Sequence, residues 1–256
     1  MRLSQIKQKD LLILVGFTII VFILRLPAFF EFGINNNGDE GLYFLIARDF
    51  LAGKPPYTEI WDNKPIGIYL IYSLSIILFG NSVFSTAIIA CIAVILTCFI
   101  LYKFGTLIGN GQRQVGLIAG LLYATFSTGN DELAANTEIF FAIFTTFSFY
   151  QLFQVNTENS VRRNSLRLFI IGLAMGIALS LKQVVIFEFI AIAILTAIAL
   201  RFLPHKAKKY RLKNLWQSYV FLLAGFFLPT ILIVVYFLVN GHFNDYISAN
   251  FTANLL

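Results

Sequence analysis

Eight runs of apolar residues punctuate this chain, and no other feature of the sequence restricts its fold as much. They cover residues 11–30, 65–79, 83–102, 115–128, 138–154, 168–181, 183–200 and 218–239. A bilayer core about 30 Å thick takes a helix of about 20 residues, fewer where neighbouring helices shield the path. A soluble core cannot cover so much apolar surface. Hydrophobic residues make up 58% of the chain and charged residues 12%, against about 25% charged in an ordinary soluble domain. The 28 Phe residues suit helices that face lipid. The chain is therefore read as an all-α polytopic membrane protein. Arg2, Lys7 and Lys9 precede the first run as in a signal peptide. No small-x-small cleavage site follows, and Pro27, Phe29 and Phe30 stand where one would fall, so an uncleaved signal-anchor helix is expected.

Charge sets the expected sidedness. Lys and Arg collect in residues 1–10, 103–114, 156–167 and 201–214, which should all be cytoplasmic under the positive-inside rule. The other loops hold only Arg48, Lys54, Lys64 and Lys182. The loop from residue 31 is then outside and 103–114 inside, so an odd number of crossings must separate them. Two runs lie between, and one cannot cross. The run 65–79 is the shorter, starts at Pro65 and ends at Gly80. It is expected to lie along the outer surface, leaving seven spans with the N-terminus cytoplasmic. The inner segments carry 14 basic and 2 acidic residues, the outer ones 4 basic and 10 acidic. The net charge of +6 thus follows from topology and anionic inner-leaflet lipid, which disfavours a nucleic-acid partner. Gly116 and Gly120, then Gly172 and Gly176, form i,i+4 pairs that let helix backbones approach closely. Cys91 and Cys98 lie on one helix face about 10 Å apart by rise, too far for a disulfide. There is no internal repeat of the kind many transporters carry.

The outer loop 31–82 holds most of the candidate chemistry. Asp39 stands where a helix should begin, expected over about 40–52. It suits an N-cap, and it equally suits a general base that takes a proton from an acceptor hydroxyl. Glu40 either complements the helix dipole or joins the same site. Lys64, flanked by Asp62, Asn63 and Pro65, is either solvated or placed for a lipid phosphate at headgroup level. The second outer loop carries Asp131, Glu132 and Glu138 with no cation. Those acids start a helix or form a second polar wall. They are compatible with a divalent metal, while the lack of a nearby His disfavours zinc. Lys182 separates two spans with almost no loop, and it either snorkels or meets an anion. The same alternatives apply to Arg25, near the outer end of the first span. Glu188 lies inside the sixth span, where it is expected to pair internally. No P-loop, GxGxxG, metal-spaced Cys/His cluster or Ser–His pair is present, so a donor used outside is expected to be lipid-borne.

These motifs resemble a known family. A first span followed by Asp39-Glu40 and an amphipathic helix, then Asp62-Asn63-Lys64-Pro65-Ile66-Gly67-Ile68-Tyr69-Leu70, is similar to family 39 glycosyltransferases of the GT-C fold. These are bacterial relatives of protein O-mannosyltransferases and of the lipid A aminoarabinose transferase. Ala135-Asn136-Thr137-Glu138 and Leu179-Ser180-Leu181-Lys182-Gln183 match in position and character. The family often has Lys-Pro-Pro where this chain has Ile66 after Pro65.

The resemblance implies a GT-C-type seven-helix transmembrane module with juxtamembrane helices in its first outer loop. It implies an integral plasma (inner) membrane enzyme of the cell envelope, working on the extracytoplasmic side. The implied reaction is inverting hexosyl or pentosyl transfer from a polyprenyl-phosphate-linked sugar to a lipid, glycan or protein acceptor. Asp39 would be the base. Lys64 and Lys182, with Arg25, would hold the phosphate, and Glu40 and Glu138 would lie near the substrates. Members of the family are typically about twice as long, so the chain is expected to be an N-terminal half lacking the C-terminal part. The alternatives are a truncated, non-catalytic lipid-phosphate-binding or partner subunit and, after it, a transporter.

Overall fold

A computed structural model describes residues 3–30, 38–129, 133–155, 160–201 and 212–252. Asp131 and Glu132 of the second acidic loop and the basic stretch 202–211 lie outside them. The described residues form ten α-helices and no strand: α1 Leu3–Leu24, α2 Asp39–Leu51, α3 Gly67–Phe79, α4 Val83–Ile108, α5 Arg113–Phe126, α6 Thr137–Leu152, α7 Val161–Leu179, α8 Val185–Arg201, α9 Leu212–Val239 and α10 Phe243–Ile247. Each apolar run lies wholly or largely on one of these helices.

Local chemistry accounts for the ends. The first run was expected to continue to residue 30, yet α1 stops at Leu24. Arg25 has φ −96° and ψ 6°, and Pro27 opens a short 3-10 turn over Leu26–Phe29. Pro lacks the N–H that a longer helix would need there. Asp39 and Glu40 lie in the first turn of α2 and Arg48 in its last, each complementing the helix dipole. Helix α3 starts just beyond Pro65 and closes at Gly80, whose φ of +93° ends a helix at little cost. The Ser82 side chain caps α4 by accepting from the Phe84 N–H.

Phe84–Ile108 and Trp216–Val239 are long and apolar enough to cross a membrane, by length and composition. Gly67–Phe79 and Val185–Leu200 are apolar but shorter. Helix α9 leaves Phe227, Ile231, Leu232, Val235 and Leu238 exposed. Such a surface suits lipid as its solvent.

The chain divides into two compact units, Met1–Arg48 with Ile71–Ile143, and Asp49–Leu70 with Phe144–Leu256. In the first, α1 packs on α4 and α5, and α4 packs on α5. A Cβ on Gly116 would strike the Tyr102 carbonyl, and one on Gly120 the Phe17 ring and Cys98 O. Lys103 pairs with Asp10 at 2.9 Å. Cys91 and Cys98 are buried free thiols. In the second unit α7 packs along α9. Gly172 lies against Leu222 O, Gly176 against Phe226 O and Gly225 against Phe169 O. Phe189 stacks on Phe226 with centroids 3.7 Å apart. Both glycine pairs read from the sequence therefore sit where two helix backbones touch.

Candidate functional site

In the first unit the end of α1, the start of α2, α3 and the segment 127–138 meet through polar groups. Arg25 is 1% exposed. Its Nη1 donates to Ser127 O at 2.7 Å and its Nη2 to Leu133 O at 2.6 Å. One guanidinium thus joins the described residues on the two sides of positions 130–132. The Glu40 carboxylate favours the charged guanidinium of Arg25.

Glu40 grips the same segment. Its Oε1 accepts from the Ala135 N–H at 2.6 Å, and the Tyr72 hydroxyl donates to Ala135 O at 2.9 Å. Both polar groups of residue 135 are thus held by side chains from α2 and α3. Burial raises the Glu40 carboxyl above its ordinary value, partly opposed by the Ala135 N–H and by Arg25. Burial pushes the Tyr72 phenol well up, with the Glu40 carboxylate adding to it, so it remains a donor. Tyr43 packs edge-on against Tyr72 at 5.6 Å, and its hydroxyl donates to Asp39 Oδ2 at 3.1 Å. Asp39 is half-buried as the first residue of α2. Glu138 lies in the first turn of α6, where Oε2 accepts from the Thr137 hydroxyl at 2.9 Å.

Lys64 and Lys182 belong to the second unit. The turn 62–65 is fixed by its own carbonyls and carboxylate. Tyr57 donates to Lys64 O at 2.8 Å, and Tyr69 donates to Asp62 Oδ2 at 2.8 Å and reaches Lys64 O at 3.3 Å. Asp62 Oδ1 accepts from the Asn63 N–H at 2.7 Å. The Gly67 N–H donates to Ser180 O at 2.8 Å, which joins the Lys64 turn to the turn that carries Lys182. Only glycine fits there, because a Cβ at 67 would press on the Ser180 carbonyl.

The structure therefore joins Arg25 and Glu40 through the loop they hold, and it sets Asp39 beside Glu40 on α2. It joins the backbones that bear Lys64 and Lys182. Glu188 was expected to pair internally; its Oε2 is buried with no hydrogen-bond partner among the described residues. Among the described residues no three His, Cys, Asp or Glu side chains come together as a metal could use. Tyr57, Tyr69 and Tyr72 were not legible as site residues. Their sequence signal, tyrosines on either side of a Lys-Pro turn, looks like ordinary interfacial aromatic content.

Comparison with known proteins gives one finding. Residues 63–236 match the family model described as dolichyl-phosphate-mannose-protein mannosyltransferase. That span contains Lys64, Glu138 and Lys182 and covers well over half of the chain. No curated protein and no solved structure matches. With its helical architecture and apolar helices, the chain belongs to the dolichyl-phosphate-mannose-protein mannosyltransferase family, a family of glycosyltransferases.

Proposed function

We propose that this protein is a GT-C module with seven crossings that transfers a sugar, with inversion, from a polyprenyl-phosphate donor to an acceptor at the outer face of the plasma membrane. Membership of a glycosyltransferase family across Lys64, Glu138 and Lys182 carries the reading. The sidedness is supported by the basic inner and acidic outer segments.

In the proposed step the Asp39 carboxylate takes the proton of an acceptor hydroxyl while its oxygen bonds to the anomeric carbon. The bond from that carbon to the phosphate oxygen breaks, and polyprenyl phosphate leaves with the electron pair. Attack opposite the leaving group inverts the centre. Lys64 and Lys182 hold the phosphate charge, which is greatest as it departs. Glu138 contacts the acceptor or the donor sugar. Arg25 and Glu40 serve the reaction by holding the segment 127–135, a role supported by their hydrogen bonds to its backbone.

The test is transfer of a labelled sugar from a polyprenyl-phosphate sugar by the protein in lipid vesicles. Asp39→Asn should lower kcat by about 10²–10⁴-fold, the usual contribution of a positioned base. Lys64→Ala should weaken donor binding. Wild-type behaviour of both variants removes the assignment. Donor binding without turnover by the unaltered protein favours the non-catalytic lipid-phosphate-binding reading.

A further inference from the structure

Tyr57 has a backbone that a tyrosine rarely adopts. Its φ is +72°, in the left-handed region that suits glycine and penalises a side chain with a Cβ. Such a conformation persists only where the surroundings over-determine it, and it often marks a functional constraint. Here the constraints are visible. The side chain is 6% exposed. Its ring lies 5.9 Å from Tyr69, 5.7 Å from Phe237 and 6.3 Å from Tyr246. Phe237 and Tyr246 stack on each other at 4.8 Å. The aromatic packing offsets the cost of the backbone and aims the hydroxyl at Lys64 O.

The ring touches a second segment through Tyr246. There Asn250 is buried and donates through Nδ2 to Tyr246 O at 3.1 Å. Asn250 O in turn accepts from Gln183 Nε2 at 3.4 Å, beside Lys182. Tyr57 therefore connects the Lys64 turn, through its hydroxyl, with Tyr246, through its ring, and Asn250 of that segment reaches Gln183 beside Lys182. Burial raises the phenol above its ordinary value, which favours the protonated, donating form. Tyr57 and residues 246–250 lie outside the matched span 63–236.

We propose that Tyr57 is a positioning residue for Lys64: its hydroxyl, aimed by the packing of its ring in the Tyr69–Phe237–Tyr246 cluster, fixes the backbone from which the Lys64 ammonium reaches a lipid phosphate. The proposal rests on the reading of Lys64 as a donor-phosphate ligand. A lysine side chain has many rotamers, and fixing its root reduces the ordering cost of binding.

The experiment uses the whole chain in nanodiscs and a fluorescent short-chain polyprenyl phosphate as probe. Tyr57→Phe keeps the ring and removes only the hydroxyl. It should weaken binding by roughly fivefold, as the loss of one neutral hydrogen bond would. Lys64→Ala should weaken it by roughly 10- to 100-fold, as the loss of a charge-assisted contact would. The double variant should bind like Lys64→Ala alone, because a residue acting through Lys64 adds nothing once Lys64 is gone. Wild-type binding by Tyr57→Phe, or effects that multiply in the double variant, overturns the proposal. Amide hydrogen exchange over residues 62–68 gives a measure without ligand. Faster exchange in Tyr57→Phe is expected, and unchanged exchange overturns the positioning role. If Lys64→Ala binds the probe normally while Tyr57→Phe still speeds exchange, it is the phosphate reading of Lys64 that fails, and Tyr57 positions the turn for something else.

Discussion

Replacing Arg25 by Met tests whether this residue holds the loop or the donor. Met fills similar volume but donates nothing. Two charge-assisted hydrogen bonds disappear, at 2.7 Å to Ser127 O and 2.6 Å to Leu133 O. Each contributes about 1.5–3 kcal/mol, and a buried carbonyl left without a donor costs about 1–3 kcal/mol. Against this, Met relieves the desolvation of a buried guanidinium, which amounts to several kcal/mol. The balance is a loss of about 3 kcal/mol. In a chain of this size that corresponds to a fall of roughly 6–12 °C in melting temperature. Arg25→Lys keeps the charge and can serve one carbonyl well, so it should recover roughly half of the loss. The assay is thermal unfolding in detergent, paired with limited proteolysis between Ser127 and Leu133, where untied ends should be cut faster. If Arg25→Met melts and resists protease like the wild type while its donor KM rises, the loop-holding argument is refuted and Arg25 is a donor ligand.

Three further outcomes follow from the same geometry. Gly67→Ala sets a methyl against the Ser180 carbonyl and 2.7 Å from Ser180 Oγ, which should cost about 1–3 kcal/mol and weaken polyprenyl-phosphate binding by shifting both lysine-bearing turns; a thermal melt and a binding titration read the two effects. Glu40 has a folded pKa raised mainly by burial, so its contribution to stability is fully present below the unfolded carboxyl value of about 4.3 and is lost as pH rises through the folded value; Glu40→Gln, whose amide oxygen can still accept from Ala135, should flatten that part of the stability profile, and an unchanged slope would remove Glu40 as its source. Cysteine at the exposed Gln112 should react with an impermeant thiol reagent only from the cytoplasmic side, with little background from the buried Cys91 and Cys98; labelling from outside would remove the surface placement of residues 65–79.

Much of the helical layout was legible because it depends on local pattern. Apolar runs specify where helices form, and α2 occupies Asp39–Leu51 where a helix over about 40–52 was read. The glycine pairs on α5 and α7 marked helix contacts, since a missing side chain on an apolar helix has few other uses. The end of α1 was misplaced at residue 30, because hydropathy continues through Pro27 while the hydrogen-bond ladder does not. Glu188 was expected to pair, and its Oε2 has no hydrogen-bond partner among the described residues; spacing along one helix does not say what faces a side chain from another.

Sequence alone determined the kind of solvent this chain needs, the helices it forms and the residues that carry charge in its loops. It also drew attention to Lys64 and Lys182, which lie within the span that matches the family. Tertiary structure alone decided what several of these residues touch. Arg25 meets carbonyls 102 and 108 residues away, and Glu40 meets an amide 95 residues away. Backbone carbonyls and amides are identical at nearly every position, so no residue type announces which of them a distant side chain will find. The left-handed backbone of Tyr57 was hidden for the same reason, because two of the rings that hold it, Phe237 and Tyr246, come from segments nearly 200 residues further along the chain.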